Sequence, residues 1–269
     1  MVSDSVHSRS AVQGKTSPAF YNTVRALLRN KFSLCGLIIL GIAILLAVLA
    51  PWFSPQNPYD LSQLDIMDGR LSPGSSSLNG MIYWLGTDDQ GRDLLSAILY
   101  GTRTSLLVGV SSAVIALTIG ATLGLISAYA GGKTDALIMR IVDIQLSFPP
   151  ILIALILLAV LGQGVDKIIL ALVVTQWAYY ARTLRGSALL ERRRSYVDAA
   201  RSMALSRPRI LFRHILPNCL PPLIVVATMR IAYAIMLEAT LSFLGIGLPV
   251  TEPSLGLLIA NGFDYLMSG

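Results

Sequence analysis

Long stretches of this chain carry no charge, and they cannot all fit inside one soluble core. Phe32–Tyr59, Thr104–Gly132 and Ile144–Val165 contain no Asp, Glu, Lys or Arg, and Ile168–Ala181 adds a shorter run. Ile215–Leu248 is as apolar but carries Arg230 and Glu238. About 20 mostly apolar residues in a helix cross the hydrocarbon core of a bilayer. Charged residues make up 13% of the 269 and the mean hydropathy is +0.66, against about 25% charge in a soluble domain. The expected fold class is therefore all-α, a polytopic transmembrane helical bundle with five spans.

Charge distribution orients those spans. Residues 1–31 hold five basic residues (Arg9, Lys15, Arg25, Arg29, Lys31) and one acid, Asp4. Residues 51–103 hold three basic residues and six acids, and 182–213 hold nine and two. Basic segments stay on the cytoplasmic side. The expected plan is a cytoplasmic basic tail, 1–31; a first span, 32–52; an outer solvated loop, 53–103; and a second span, 104–130. A third span, 135–162, is kinked at Pro149-Pro150 because proline interrupts helical hydrogen bonds. A short fourth span follows at 167–184, then a cytoplasmic segment, 185–213, a fifth span, 214–248, and an outer C-terminal segment, 249–269. The first span is too long for a signal-peptide core and is expected to stay uncleaved. This alternation is a membrane topology signal and not a nucleic-acid-binding face.

Catalytic chemistry has little to stand on. Gly132-Lys133-Thr134 looks like the end of a phosphate-binding loop, but the required earlier glycine is Ser127. No HExxH or GxSxG pattern occurs. His7 and His214 stand apart, and Cys35 and Cys219 read as free thiols, so neither catalytic nor metal-ligating residues are assigned. Gly120 and Gly124 form a GxxxG spacing that lets another helix approach closely.

Two features stand out. Ser195-Tyr-Val-Asp198 fits a capping box, and a short helix from Tyr196 to about Leu205 is stopped by Ser206-Arg207-Pro208. The pattern reads either as a helix–turn–helix on the cytoplasmic face or as a solvated basic loop that sets topology. Arg230 and Glu238, charges inside a span, are expected to face a translocation pathway or a partner subunit, since a mid-membrane charge costs about 2.5–3.5 kcal/mol on insertion scales. Such a pair also fits an ion-driven secondary transporter, although no internal repeat supports one. A membrane-embedded enzyme is a third class.

Tyr196-Val-Asp198-Ala199-Ala200-Arg201 with Arg213-His214-Ile215-Leu216-Pro217-Asn218 resembles the EAA loop of ABC-importer permeases. Leu85-Gly-Thr-Asp88-Asp-Gln-Gly-Arg92-Asp93, Tyr129-Ala-Gly-Gly132, Phe148-Pro-Pro150 and Glu238-Ala-Thr-Leu-Ser-Phe-Leu-Gly-Ile-Gly247 follow in the order seen in the second permease of dipeptide, oligopeptide and nickel importers. The resemblance implies a pore subunit in the bacterial inner membrane, with its N-terminus cytoplasmic. It would form a heterodimer with a second permease and bind two ATP-binding subunits inside and a soluble or lipid-anchored substrate-binding protein outside. ATP and Mg would be held by the partner subunits and no cofactor by this chain. Short peptides are the implied cargo, with nickel or another small solute as the alternative. Tyr196, Asp198, Ala199, Ala200, Arg201, Ala204 and Ser206 would form the coupling helix that docks on the ATPase. Ala204 stands at the family's glycine position and Leu255 where tryptophan is usual. Ala204 is expected to keep the turn an ordinary helical one, since a positive φ is costly without glycine. The branch continues into a sixth span and a cytoplasmic tail, so the resemblance implies a protein longer than these 269 residues.

Overall fold

The computed structural model describes residues 28–77 and 80–268. Most of the expected basic tail, including His7, Arg9, Lys15 and Arg25, lies outside the described residues, as does Gly269. The described residues fall into two units, divided between Leu45 and Leu46. Helix α1, Lys31–Phe53, begins in the first. It is apolar on every face, as expected of a helix that meets no water.

Residues 54–93 are not the solvated loop expected from their composition. Two 3-10 turns, Leu61–Gln63 and Ile66–Asp68, precede a short antiparallel ribbon of β1, Ser75–Ser76, and β2, Ile82–Tyr83. Ser75 lies opposite Tyr83 and Ser76 opposite Ile82. Asp68, Thr87, Asp88, Arg92 and Asp93 are all buried. Polar composition was misleading because these side chains are spent on one another and on backbone groups.

Helix α2, Leu94–Ala130, starts earlier than the expected span at 104. The Asp93 carboxylate caps it, accepting from Ser96 N at 2.8 Å and Ser96 Oγ at 2.5 Å. At 37 residues it is about 55 Å long, well beyond the roughly 30 Å of a hydrocarbon core. Helix α3, Gly132–Ser147, and helix α4, Pro150–Leu161, replace the single kinked span expected over 135–162. They meet at 89°. Phe148 is extended, as a residue before proline prefers, and two consecutive prolines leave the helix no N–H to continue with.

Helix α5, Val165–Glu191, runs past the expected end at 184. Helix α6, Ser195–Ser202, is followed by helix α7, Arg207–Phe243. Leu211–Ile215 forms a π turn within α7, where the N–H of Leu216 bonds Leu211 O just before Pro217. Within the C-terminal segment, helix α8 spans Leu255–Ser268.

Among the described residues, α1, α2 and α7 are each long and apolar enough to cross a membrane, and α3 with α4 makes a fourth crossing if the bent pair counts as one. The expected fourth span, α5, is less apolar than these. It can be, because it lies at the centre of the second unit between α2 and α7, where protein covers Thr175, Gln176 and Tyr180. The GxxxG pair finds its partner here. A Cβ at Gly120 would overlap the carbonyl of Trp177, and one at Gly124 the carbonyl of Ala181. Leu125, Leu184, Val197, Ile210, Ile215 and Leu223 build one core near α6. Val108, Leu158, Leu172, Leu237, Leu241 and Leu248 build another toward residues 54–93.

Candidate functional site

Helix α6 is short because both its ends are set by neighbours. Val197 is fully buried and Ala200 is 5% exposed, both in the core near α6. Tyr196 anchors the first turn. Its hydroxyl donates to Glu191 Oε2 at 2.6 Å and accepts from Asn218 Nδ2 at 3.1 Å, and Asn218 also donates to His214 O at 2.7 Å. Burial and the neighbouring Glu191 carboxylate push the Tyr196 phenol above its ordinary pKa, so it stays a donor. The three elements α5, α6 and α7 are thus tied at one point.

Several expectations for this segment need correction. Ser195 does not cap the helix: Arg194 holds the N-cap position and makes no side-chain cap bond. The helix ends at Ser202, and Ala204 and Ser206 lie in the turn that follows. Ala204 takes φ +53, so the turn is left-handed after all and bears the strain that the glycine position avoids. Leu205 N reaches Ala200 O at 3.2 Å across that turn, which holds the strained residue in place. Ala200 lies in the protein's own core and Tyr196 packs against it. The outward surface is Asp198, Ala199, Arg201, Ala204 and Ser206, all exposed. Asp198 and Arg201 pair with each other at 3.0 Å.

The two intramembrane charges separate into different roles. Arg230 is half-buried, its guanidinium 3.3 Å from the Tyr179 ring centroid and 5.4 Å from that of Tyr233. These aromatic faces offset part of the cost of placing a cation among apolar helices. Glu238 is 0% exposed, which contradicts an orientation toward pathway or partner. Ser105 Oγ donates to its Oε2 at 2.8 Å, and Ser242 Oγ and Ser254 Oγ donate to Oε1 at 2.9 and 3.0 Å. The carboxylate clamps α2, α7 and the approach to α8, because a buried charge must be met by donors.

Comparison with known proteins matches this geometry to a family. Residues 120–268, more than half the chain, match the model described as binding-protein-dependent transport system inner membrane component. Residues 20–73 match the N-terminal TM domain of oligopeptide transport permease C. The chain belongs to the binding-protein-dependent transport inner membrane family.

A putative peptide transport system permease protein of Brucella abortus is 43% identical over 243 residues, covering 90% of this chain and 79% of the relative. The oligopeptide transport system permease protein of Bacillus subtilis is 38% identical over 88% of this chain and 75% of its own length. The di/tripeptide transport system permease protein of Pseudomonas aeruginosa is 38% identical over 88% and 77%. The inward-facing MetNI methionine ABC transporter contains a chain of like fold, with TM-score 0.55 and 22% identity over 64% of this chain and 82% of that one. As a member of this family, the protein is a multi-pass transmembrane component of an importer.

In this transport component, the end of α2 opposite α6 carries a second polar site that composition did not reveal. Asp88 Oδ2 accepts from Arg92 Nε at 2.7 Å, with side chains 2% and 1% exposed. Arg92 Nη1 reaches Val250 O at 2.9 Å, linking the 54–93 segment to the chain after α7. Asp68 Oδ2 accepts from Ser77 Oγ at 2.6 Å and from Tyr83 at 3.0 Å. Burial first, and this carboxylate second, raise the Tyr83 phenol pKa. Gly91 has φ +75, and a Cβ there would collide with the carbonyl of Asp65. The Leu85–Asp93 motif is thus a packed knot. Glu191 in the α6 brace carried no such signal beyond being one of two acids in a basic stretch.

Proposed function

We propose that this chain is one half of the pore of an ATP-driven importer of short peptides. The observation that carries the reading is the braced α6. A short helix is fixed to α5 and α7 by Tyr196, yet it turns Ala199 and Arg201 outward, and the turn after it exposes Ala204 and Ser206. A force applied to it passes directly into α7. The peptide cargo rests on the relatives named as peptide, dipeptide or oligopeptide permeases.

In this reading α6 lies in the cytoplasm with the N-terminus and docks on one of two ATP-binding subunits, which hold ATP and Mg. A second permease completes the pore, and a substrate-binding protein delivers cargo to the 54–93 face. This chain hydrolyses nothing. ATP-driven closure of the partners favours one arrangement of the spans over another, and only such differential affinity can drive alternating access. Arg230, presented by Tyr179 and Tyr233, faces the pathway or the second permease.

The test is disulfide cross-linking in the assembled importer, with Cys35 and Cys219 replaced by Ala. Cysteine at Ala199 should cross-link to the ATP-binding subunit with a yield that changes on adding ATP. Absence of a cross-link from every exposed position in 196–206 would remove the coupling role.

A further inference from the structure

Beside α6 the bundle holds a cleft of about 490 Å³ that shares Arg201 with the docking surface and otherwise lies beside it. Ile210, Leu211 and Ile215 give it an apolar wall, and Arg192, Arg201 and Arg207 line it as well. No acid is among its described lining residues. Arg192 is held by a 3.1 Å bond from Nη1 to Ala128 O at the end of α2, which uses one of its five N–H groups. Arg201 gives one N–H to Asp198, and Asp198 does not line the cleft. Around the site, residues 182–213 carry nine basic residues against two acids.

Depth along the bundle matters as much as charge. Tyr129 and Ala130 line the cleft, and the uncharged run of α2 stops just after them, before Lys133. Apolar wall and arginines therefore meet where the uncharged run of α2 gives way to polar chain.

We propose that this cleft binds the headgroup of an anionic phospholipid, with its phosphate among Arg192, Arg201 and Arg207. The guanidinium fork matches phosphate oxygens in pairs. The apolar wall suits the glycerol backbone and first acyl carbons, which a free phosphate or an acidic protein loop lacks. Basic pockets between spanning helices at the membrane boundary suit such headgroups. A lipid held there joins α2, α5, α6 and α7 at one place and braces the segment beside its docking surface.

Native mass spectrometry of the purified full chain, with phosphatidylglycerol or phosphatidylcholine added, tests this. Phosphatidylglycerol should be retained and phosphatidylcholine lost. Replacing Arg192, Arg201 and Arg207 by Gln should weaken retention by about fivefold per arginine. Replacing Arg193, Arg194 and Arg209 removes the same charge outside the cleft and should leave retention near that of the unaltered chain. Should the cleft variant not fold, Arg207→Gln compared with Arg209→Gln carries the same contrast. Equal retention of both lipids, equal losses in both variants, or equal displacement by inorganic phosphate would overturn the proposal. Loss of the lipid when the ATP-binding subunits assemble would assign the arginines to the partner protein and overturn it as well.

Discussion

The two ends of α2 treat charge in opposite ways. At the 54–93 end, Asp68, Asp88, Arg92 and Asp93 are buried and Glu238 is clamped by serine hydroxyls. At the α6 end, Asp198 and Arg201 stay exposed beside the small outward residue Ala199, and three arginines line an open cleft. The first end spends most of its polar groups on partners within the chain. The second leaves its polar groups available to other molecules. A transporter subunit needs both: a rigid closure at one end of its spans, and a surface at the other that is completed by what binds there.

The largest expected effect tests the rigid end. Arg92→Ala leaves Asp88 buried without its counter-charge and should cost about 3–5 kcal/mol, read as a marked drop in the thermal unfolding temperature of the detergent-purified protein. Arg201→Ala breaks a pair whose side chains are 49% and 66% exposed, and should cost less than about 0.5 kcal/mol. Similar losses from both would erase the contrast between the ends.

A pair of neighbouring alanines sharpens it. Ala200→Trp forces an indole into the core near α6 and should destabilise the chain by about 1–3 kcal/mol or more through overpacking. Ala199→Trp points outward and should leave stability within about 0.5 kcal/mol, while ATP-driven uptake by the assembled importer falls to background. If Ala199→Trp transports normally, α6 is not the docking surface.

The smallest expected effect is a gain. Ala204 adopts φ +53, and Ala204→Gly should relieve about 1 kcal/mol of backbone strain. Thermal unfolding in the same detergent should then rise slightly, with α6 docking unchanged.

Much of this architecture is legible in the residues. Uncharged runs announce the spans, Gly120 and Gly124 announce a close helix contact, and Pro149-Pro150 announces the break between α3 and α4. The site is half legible. The pattern from Tyr196 to Arg201 marks the segment, but which of Ala199 and Ala200 faces out depends on how α6 is rolled against α5 and α7. The expected cap at Ser195 failed because the helix starts at Ser195 itself, and Tyr196 instead secures its first turn. Glu238 was misassigned because charge inside a span reads the same whether it lines a pathway or is buried under serines distant in sequence.

Hydropathy and charge, which are sums over neighbouring residues, were enough to determine from sequence alone that this is a multi-pass helical membrane protein with a basic segment before its last long helix. Only the tertiary structure decided that the 54–93 segment is a packed knot, that Glu238 is a clamp, and that Arg192, Arg201 and Arg207 share one cleft. Those facts depend on partners far apart in the chain: Arg92 with Val250, Glu238 with Ser105, and Arg192 with Ala128. A local pattern records what each residue can bond, and the packing of α2, α5 and α7 selects which bonds are made.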